Sequence, residues 1–197
     1  EGMDCEIAVG DRHFAVHVSG VGLQMLTAAA EGAAVGLEFG LTETEIAAGI
    51  AAYVTVGFRS QVERADGITI VNDCYNANPD STSMAVISLA RLEGAGRKVC
   101  ILGDMLELGD DSPNFHRELG AFAAAQGIDL ILTCGDLGRE IARGAGTHGR
   151  WYPNKAELQA ALPNQICPGD MILVKASRGM HFEELVESLR RLEMGSR

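Results

Sequence analysis

The chain has 197 residues, 47% of them hydrophobic and 22% charged, with a formal net charge of −11. That length accommodates one large domain, or one complete domain and part of another, and the composition is that of a folded globular protein. The excess of 27 acidic over 16 basic residues is spread along the chain, which disfavours a phosphate-backbone binder, so nucleic acid is not an expected partner.

In residues 1–59 the stretches EIAVG and FAVHVSG, separated by DRH, predict a β-hairpin. An alanine-rich helix follows over Leu23–Phe39, and then a second helix opened by Thr42 with Glu45 three residues on, a capping box. No series of apolar strands occurs here. The segment reads as a piece of a neighbouring domain, with a boundary near Gly57–Gln61.

From about Ile68 onward strand and helix alternate. ITIVND precedes an amphipathic stretch Ser81–Glu93, KVCILGD precedes Pro113–Gln126, and DLILTCGD precedes Leu137–Arg143. RWYP, a short helix Lys155–Leu162, DMILVKAS and a closing helix Phe182–Glu193 complete the series. Runs such as VCILG and LILTCG are apolar on both faces, as parallel strands covered by helices on both sides must be. The expectation is therefore an α/β domain with a doubly wound, mostly parallel, Rossmann-like sheet over 60–197, preceded by an α+β remnant over 1–59. Ligands of such sheets gather beyond the carboxyl ends of the strands. Those ends carry NDCYNANPD, GDMLELGDD, CGD and KASRGM.

No run approaches the roughly 18 apolar residues of a membrane span, and EGMDCEIAVG lacks an export signal, so no membrane partner is expected. Cys5, Cys74, Cys100, Cys134 and Cys167 are odd in number and form no CxxC pair, which indicates neither disulfides nor zinc. A reducing cytoplasmic location is expected. The start at Glu1, without methionine, suggests a cut from something longer.

In the loop after ITIVND, Pro79 forces Asn78 out of helical geometry before the next helix begins. Asn76 and Asn78 each offer donor and acceptor, and Asp73 offers acceptors only, a set that can read a ribose, a base edge or an amide. Turn chemistry, with Asp80 or Ser81 as helix cap, is the alternative, although it explains neither Cys74 nor Tyr75. Lys175, Ser177 and Arg178 bring two cations and a hydroxyl to the edge after the last strand, a group suited to a carboxylate; the alternative is that the two cations pair with Glu183, Glu184 or Asp104 and only support the loop. Asp104 reads as a turn cap and Glu107 as a solvated side chain, with a direct ligand contact by this loop equally open, and His116, among Phe115, Leu119 and Phe122, reads as packed. The phosphate-cradling pattern G-x-x-x-x-G-K-[ST] is absent, and GAGRK at 94–98 lacks its spacing. GAGTHG at 144–149 matches GxGxxG but follows a helix instead of opening one, so a helix stop and a loop are expected.

DCYNANPDS at 73–81, LGDMLELG at 102–109, His116 and VKASRGM at 174–180 together resemble the Mur ligase family of peptidoglycan synthesis, in particular its members that add a D-alanyl-D-alanine dipeptide. The resemblance implies an ATP-dependent amide ligase of three domains, with this chain holding the tail of the central ATPase domain (1–59) and the carboxyl-terminal domain (60–197). It implies an acyl phosphate intermediate attacked by the dipeptide amine. Implied substrates are UDP-N-acetylmuramoyl-tripeptide, D-Ala-D-Ala and ATP, and ATP and Mg2+ would be bound mainly by parts absent from this chain. It further implies Arg59, Asp73, Tyr75, Asn76 and Asn78 toward the nucleotide, Lys175, Ser177 and Arg178 toward the incoming substrate, no catalytic residue within the chain, and a monomer. Two departures are visible: Ala176 stands where the family usually shows glycine, and Gln24 and Ala28 stand where a histidine and an asparagine are expected, which puts adenine recognition by that segment in doubt. A free-standing, non-catalytic Rossmann-like module that binds a nucleotide or peptide is the alternative.

Overall fold

The computed structural model describes residues 2–20, 22–55 and 57–193. The chain divides into two compact units, Glu1–Val56 and Gly57–Arg197.

In the first unit β1 (Gly2–Val9) and β2 (Arg12–Ser19) form an antiparallel hairpin paired from Gly2↔Ser19 to Val9↔Arg12, with Gly10 at φ 60 in the turn. Alternation in β2 puts Phe14, Val16 and Val18 on one face, where they pack with Met25, Ala29 and Ala33 of α1 (Leu23–Glu38) and Ile46 of α2 (Glu43–Ala51). The capping box at α2 is present, with Thr42 Oγ1 accepting from Glu45 N–H and the Glu45 carboxylate accepting from Thr42 N–H.

The second unit is a six-stranded sheet in the order β3-β4-β8-β5-β6-β7. Its strands are β3 (Gln61–Ala65), β4 (Ile68–Asn72), β5 (Lys98–Leu102), β6 (Leu130–Cys134), β7 (Gly149–Tyr152) and β8 (Met171–Lys175). Every pairing is parallel except β3 with β4. The strand β3 was not expected. QVERA has no apolar run, and its pairing depends on the Asp66-Gly67 turn, where both residues have positive φ.

Four helices connect the strands, α3 (Pro79–Arg91), α4 (Ser112–Ala125), α5 (Gly138–Ala145) and α6 (Lys155–Gln165), and α7 (Glu183–Arg190) follows the last strand. The connections through α3, α4 and α5 advance across the sheet in one direction, and the connection through α6 returns from β7 to β8. Right-handed crossovers therefore put α6 on the face opposite α3–α5. On the α6 and α7 side, Leu158, Leu162, Leu185, Val186 and Leu189 pack over Ile70, Ile101, Leu132 and Val174. Helices α4 and α5 meet through glycine: a Cβ on Gly120 would lie 1.9 Å from Ile141 O, and one on Gly144 would lie 1.9 Å from Arg117 O. Gly144, the first glycine of the GAGTHG stretch, is thus inside a helix, and Gly146 (φ 58) ends that helix.

Because β8 inserts between β4 and β5 while its chain continues to α7, the loops after these three strands diverge at their carboxyl ends. This is the topological switch point of the sheet.

Candidate functional site

Lys175 is the last residue of β8 and is only 4% exposed. A buried ammonium must be compensated, and here Nζ donates to Asp73 Oδ2 at 2.6 Å and to the Asn76 carbonyl at 2.9 Å. The second oxygen of Asp73, Oδ1, accepts from Ser60 N–H at 2.9 Å and from Ser60 Oγ at 3.3 Å. Asp73 and Lys175 thus join the start of the unit to the loop after β4. Neither is presented openly to a ligand: Asp73 is 8% exposed.

Ser177 is buried as well. Its Oγ accepts from Leu106 N–H at 2.9 Å and donates to Ala77 O at 3.4 Å, while its own N–H donates to Asp104 O. One residue therefore ties together the loops after β4, β5 and β8. Asn78 is the N-cap of α3, in place of the expected Asp80 or Ser81. Its Oδ1 accepts from Ser81 N–H at 2.8 Å, and Ser81 Oγ accepts from Asn78 N–H. Asn78 wins because Pro79 fills the first helical position, where a missing N–H costs nothing. Asn76 Oδ1 accepts from Ala77 N–H.

The loop after β5 is held from below. His116 is fully buried, its Nε2 accepts from Met105 N–H at 2.8 Å, and its Nδ1, 2.6 Å from Ser112 O, carries the proton. Burial lowers the His116 pKa, with the Ser112 carbonyl and the Asp104 charge opposing, so the neutral ring is the resident form. Asp104 Oδ1 accepts from Gly138 N–H at 2.7 Å at the start of α5. Burial raises its pKa, and the amides of Gly138 and Leu137 offset part of that rise. Cys74, unexplained by turn chemistry, is a core residue whose thiol donates to Asn72 Oδ1 and whose pKa burial pushes up to about 12.

Arg59 and Arg178 are the cations that reach outward. The Arg59 guanidinium lies 3.9 Å from the centroid of the Tyr75 ring, and Tyr75 is 41% exposed. Arg178 Nη1 donates to Glu183 Oε1 at 3.0 Å, the ion pair that competes with ligand contact at this residue. Between the three loops opens a cleft of ≈ 370 Å³, lined among others by Asn76, Asn78, Leu106, Glu107, Ser177 and Arg178. Asn76 and Asn78, expected toward the nucleotide, thus share a cleft with Ser177 and Arg178, expected toward the substrate. Glu107 is exposed, as the sequence leads one to expect, and it also borders this cleft. Its place in this wall was not legible, because nothing in the sequence shows its left-handed φ of 66.

No helix among the described residues is long and apolar enough to cross a membrane. Among them no three His, Cys, Asp or Glu side chains gather as a metal site. In the first unit, Ala28 lines an apolar hollow of ≈ 350 Å³ together with Met25 and Ile46. Glu45 and Tyr53 also line it.

The family profile described as "Mur ligase, glutamate ligase domain" matches residues 58–178. A Bacillus subtilis (strain 168) protein named UDP-N-acetylmuramoyl-tripeptide–D-alanyl-D-alanine ligase is 41% identical over 162 residues, which is 79% of this chain and 35% of that protein. The crystal structure of MurF ligase from Thermotoga maritima in complex with ADP superposes with a TM-score of 0.84 at 26% identity, covering 98% of this chain and 44% of that one. Crystal structure I of MurF from Acinetobacter baumannii gives 0.87 at 27% identity, over 95% and 42%. The chain thus spans well under half the length of these relatives. With the profile covering more than half of its residues and the same sheet in the solved relatives, the chain belongs to the Mur ligase family and carries its glutamate ligase domain.

Proposed function

We propose that the chain is the carboxyl-terminal part of an ATP-dependent ligase that joins D-Ala-D-Ala to UDP-N-acetylmuramoyl-tripeptide, in a monomeric cytoplasmic enzyme. Residues 1–59 are then the tail of its central ATPase domain and residues 60–197 its carboxyl-terminal domain. The observation that carries this reading is the polar cleft at the switch point, built from the same three stretches, DCYNANPDS, LGDMLELG and VKASRGM, that mark the resemblance. The names of the relatives support it.

A peptide carboxylate is a poor electrophile until it carries a leaving group, and phosphoryl transfer from ATP supplies one. The dipeptide amine then attacks the acyl phosphate, and phosphate departs as the amide forms. In this reading the chain binds and orients. Arg59, on its Tyr75 platform, faces the ATP phosphates. Asp73 and Lys175 fix the loop from which Tyr75 projects, and Arg178 holds the carboxylate of the incoming dipeptide with the donors that Glu183 leaves open. Asn76 and Asn78 offer amide groups in the same cleft.

The test is a chimaera in which this chain replaces the matching segment of the Bacillus subtilis relative. The expected result is ADP release that depends on the tripeptide substrate and on D-Ala-D-Ala, with the ligated product identified by mass spectrometry. A chimaera that binds ATP but forms no product, with any dipeptide supplied, would overturn the reading in favour of a non-catalytic binding module.

A further inference from the structure

We propose that Glu107 is a specificity-determining residue that binds the amino group of the incoming dipeptide, so that the cleft recognises a short zwitterion from both ends. The inference rests on the dipeptide reading of the cleft given above.

Glu107 and Arg178 come from different loops, after β5 and after β8, and line one cleft. This places an acid and a base around a polar space of ≈ 370 Å³. Each ligand class meets that pair differently. A polyphosphate is attracted by Arg178 and repelled by Glu107. A simple carboxylate leaves Glu107 without a partner. A zwitterion of two residues satisfies both.

The backbone at Glu107 points the same way. Its φ of 66 is a conformation that glycine or asparagine adopts at less cost than a glutamate, and Gly109 at φ 69 follows two residues on. The residues before it are pinned: Met105 N–H donates to His116 Nε2 and Leu106 N–H to Ser177 Oγ. A long carboxylate is thus mounted on a fixed, strained backbone. Among the described residues no hydrogen bond or ion pair engages that carboxylate. Strained positions whose side chain makes no internal contact gain nothing for the fold from that side chain, and they cluster at ligand sites.

The chain of 197 residues is titrated, by amide chemical shifts, with three probes: D-Ala-D-Ala, its N-acetyl derivative and its carboxamide. The free dipeptide is expected to shift Asn76, Leu106, Glu107 and Gly179 saturably. Blocking the amine should weaken binding by about tenfold or more, the loss of one charge-assisted hydrogen bond. In Glu107→Gln the free dipeptide should lose a similar factor and acetylation should then make little further difference. Glu107→Gly should lose the same affinity with a thermal midpoint equal to or above that of the parent, which a structural role for the side chain would not allow. Equal affinity for free and acetylated dipeptide, or undiminished binding by Glu107→Gln, overturns the inference alone. No saturable shift at the cleft with D-Ala-D-Ala removes the dipeptide reading of the cleft and the inference with it.

Discussion

The Lys175 ammonium and the Asp73 carboxylate lie 2.6 Å apart although 102 positions separate them, and the lysine is 4% exposed. The pair is internal, so removing one partner leaves the other charged and buried. Lys175→Met is therefore expected to lower the unfolding free energy by about 3–5 kcal/mol, and the double variant Lys175→Met/Asp73→Leu to recover most of that loss. Denaturant unfolding of the three proteins measures it. A single variant within about 0.5 kcal/mol of the parent would show the pair to be solvated.

Ser177→Ala removes the acceptor of Leu106 N–H and the donor to Ala77 O. The expected cost is about 1 kcal/mol of stability, with faster hydrogen exchange at Leu106. Unchanged exchange at Leu106 would mean that the loop after β5 is held without Ser177.

His116 makes stability pH-dependent. Its pKa is lowered in the folded protein, chiefly by burial, from an ordinary value of 6.5, so below that value the unfolded chain binds the proton more readily. The contribution of His116 is full above pH 6.5 and is lost as pH falls through the folded value. Protonation would also turn Nε2 into a donor facing Met105 N–H. Unfolding measured from about pH 7.5 down to about pH 5 should show this decline, and His116→Gln should flatten it. An identical slope in both proteins would exclude His116 as the source.

Gly120→Ala and Gly144→Ala each put a methyl group 1.9 Å from a backbone carbonyl of the facing helix. Neither α4 nor α5 can yield by moving a side chain. Losses of about 2 kcal/mol or more are expected for each in thermal unfolding, against the gain of up to about 1 kcal/mol that alanine brings to an open helix position. A neutral effect would show that the helices separate at little cost.

The parallel strands were legible because both faces of VCILG and LILTCG are apolar, and the helices because their spacing repeats; the observed α3 starts at Pro79, two residues before the expected Ser81. Strand β3 was not, since its half-buried residues alternate too weakly and only the Asp-Gly turn announces it. At the site, sequence located the three loops but not the internal bonds that several of their side chains make. Lys175 stands in the last position of a strand flanked on both sides, so its side chain turns into the sheet edge and finds Asp73. Residue type alone cannot distinguish that lysine from Arg178, three residues beyond the strand end and half exposed. Glu107 is exposed as expected, but residue type alone does not show that it borders the cleft from a left-handed turn.

Three loops tied together by one serine hydroxyl and one lysine ammonium, one of them also held by a histidine ring, cannot fluctuate independently. A visitor to the cleft between them meets walls whose backbone freedom was already surrendered when the sheet assembled. Little of what its few contacts yield is then spent on stilling the receptor, so a small molecule with two charged ends can be held by a handful of polar groups.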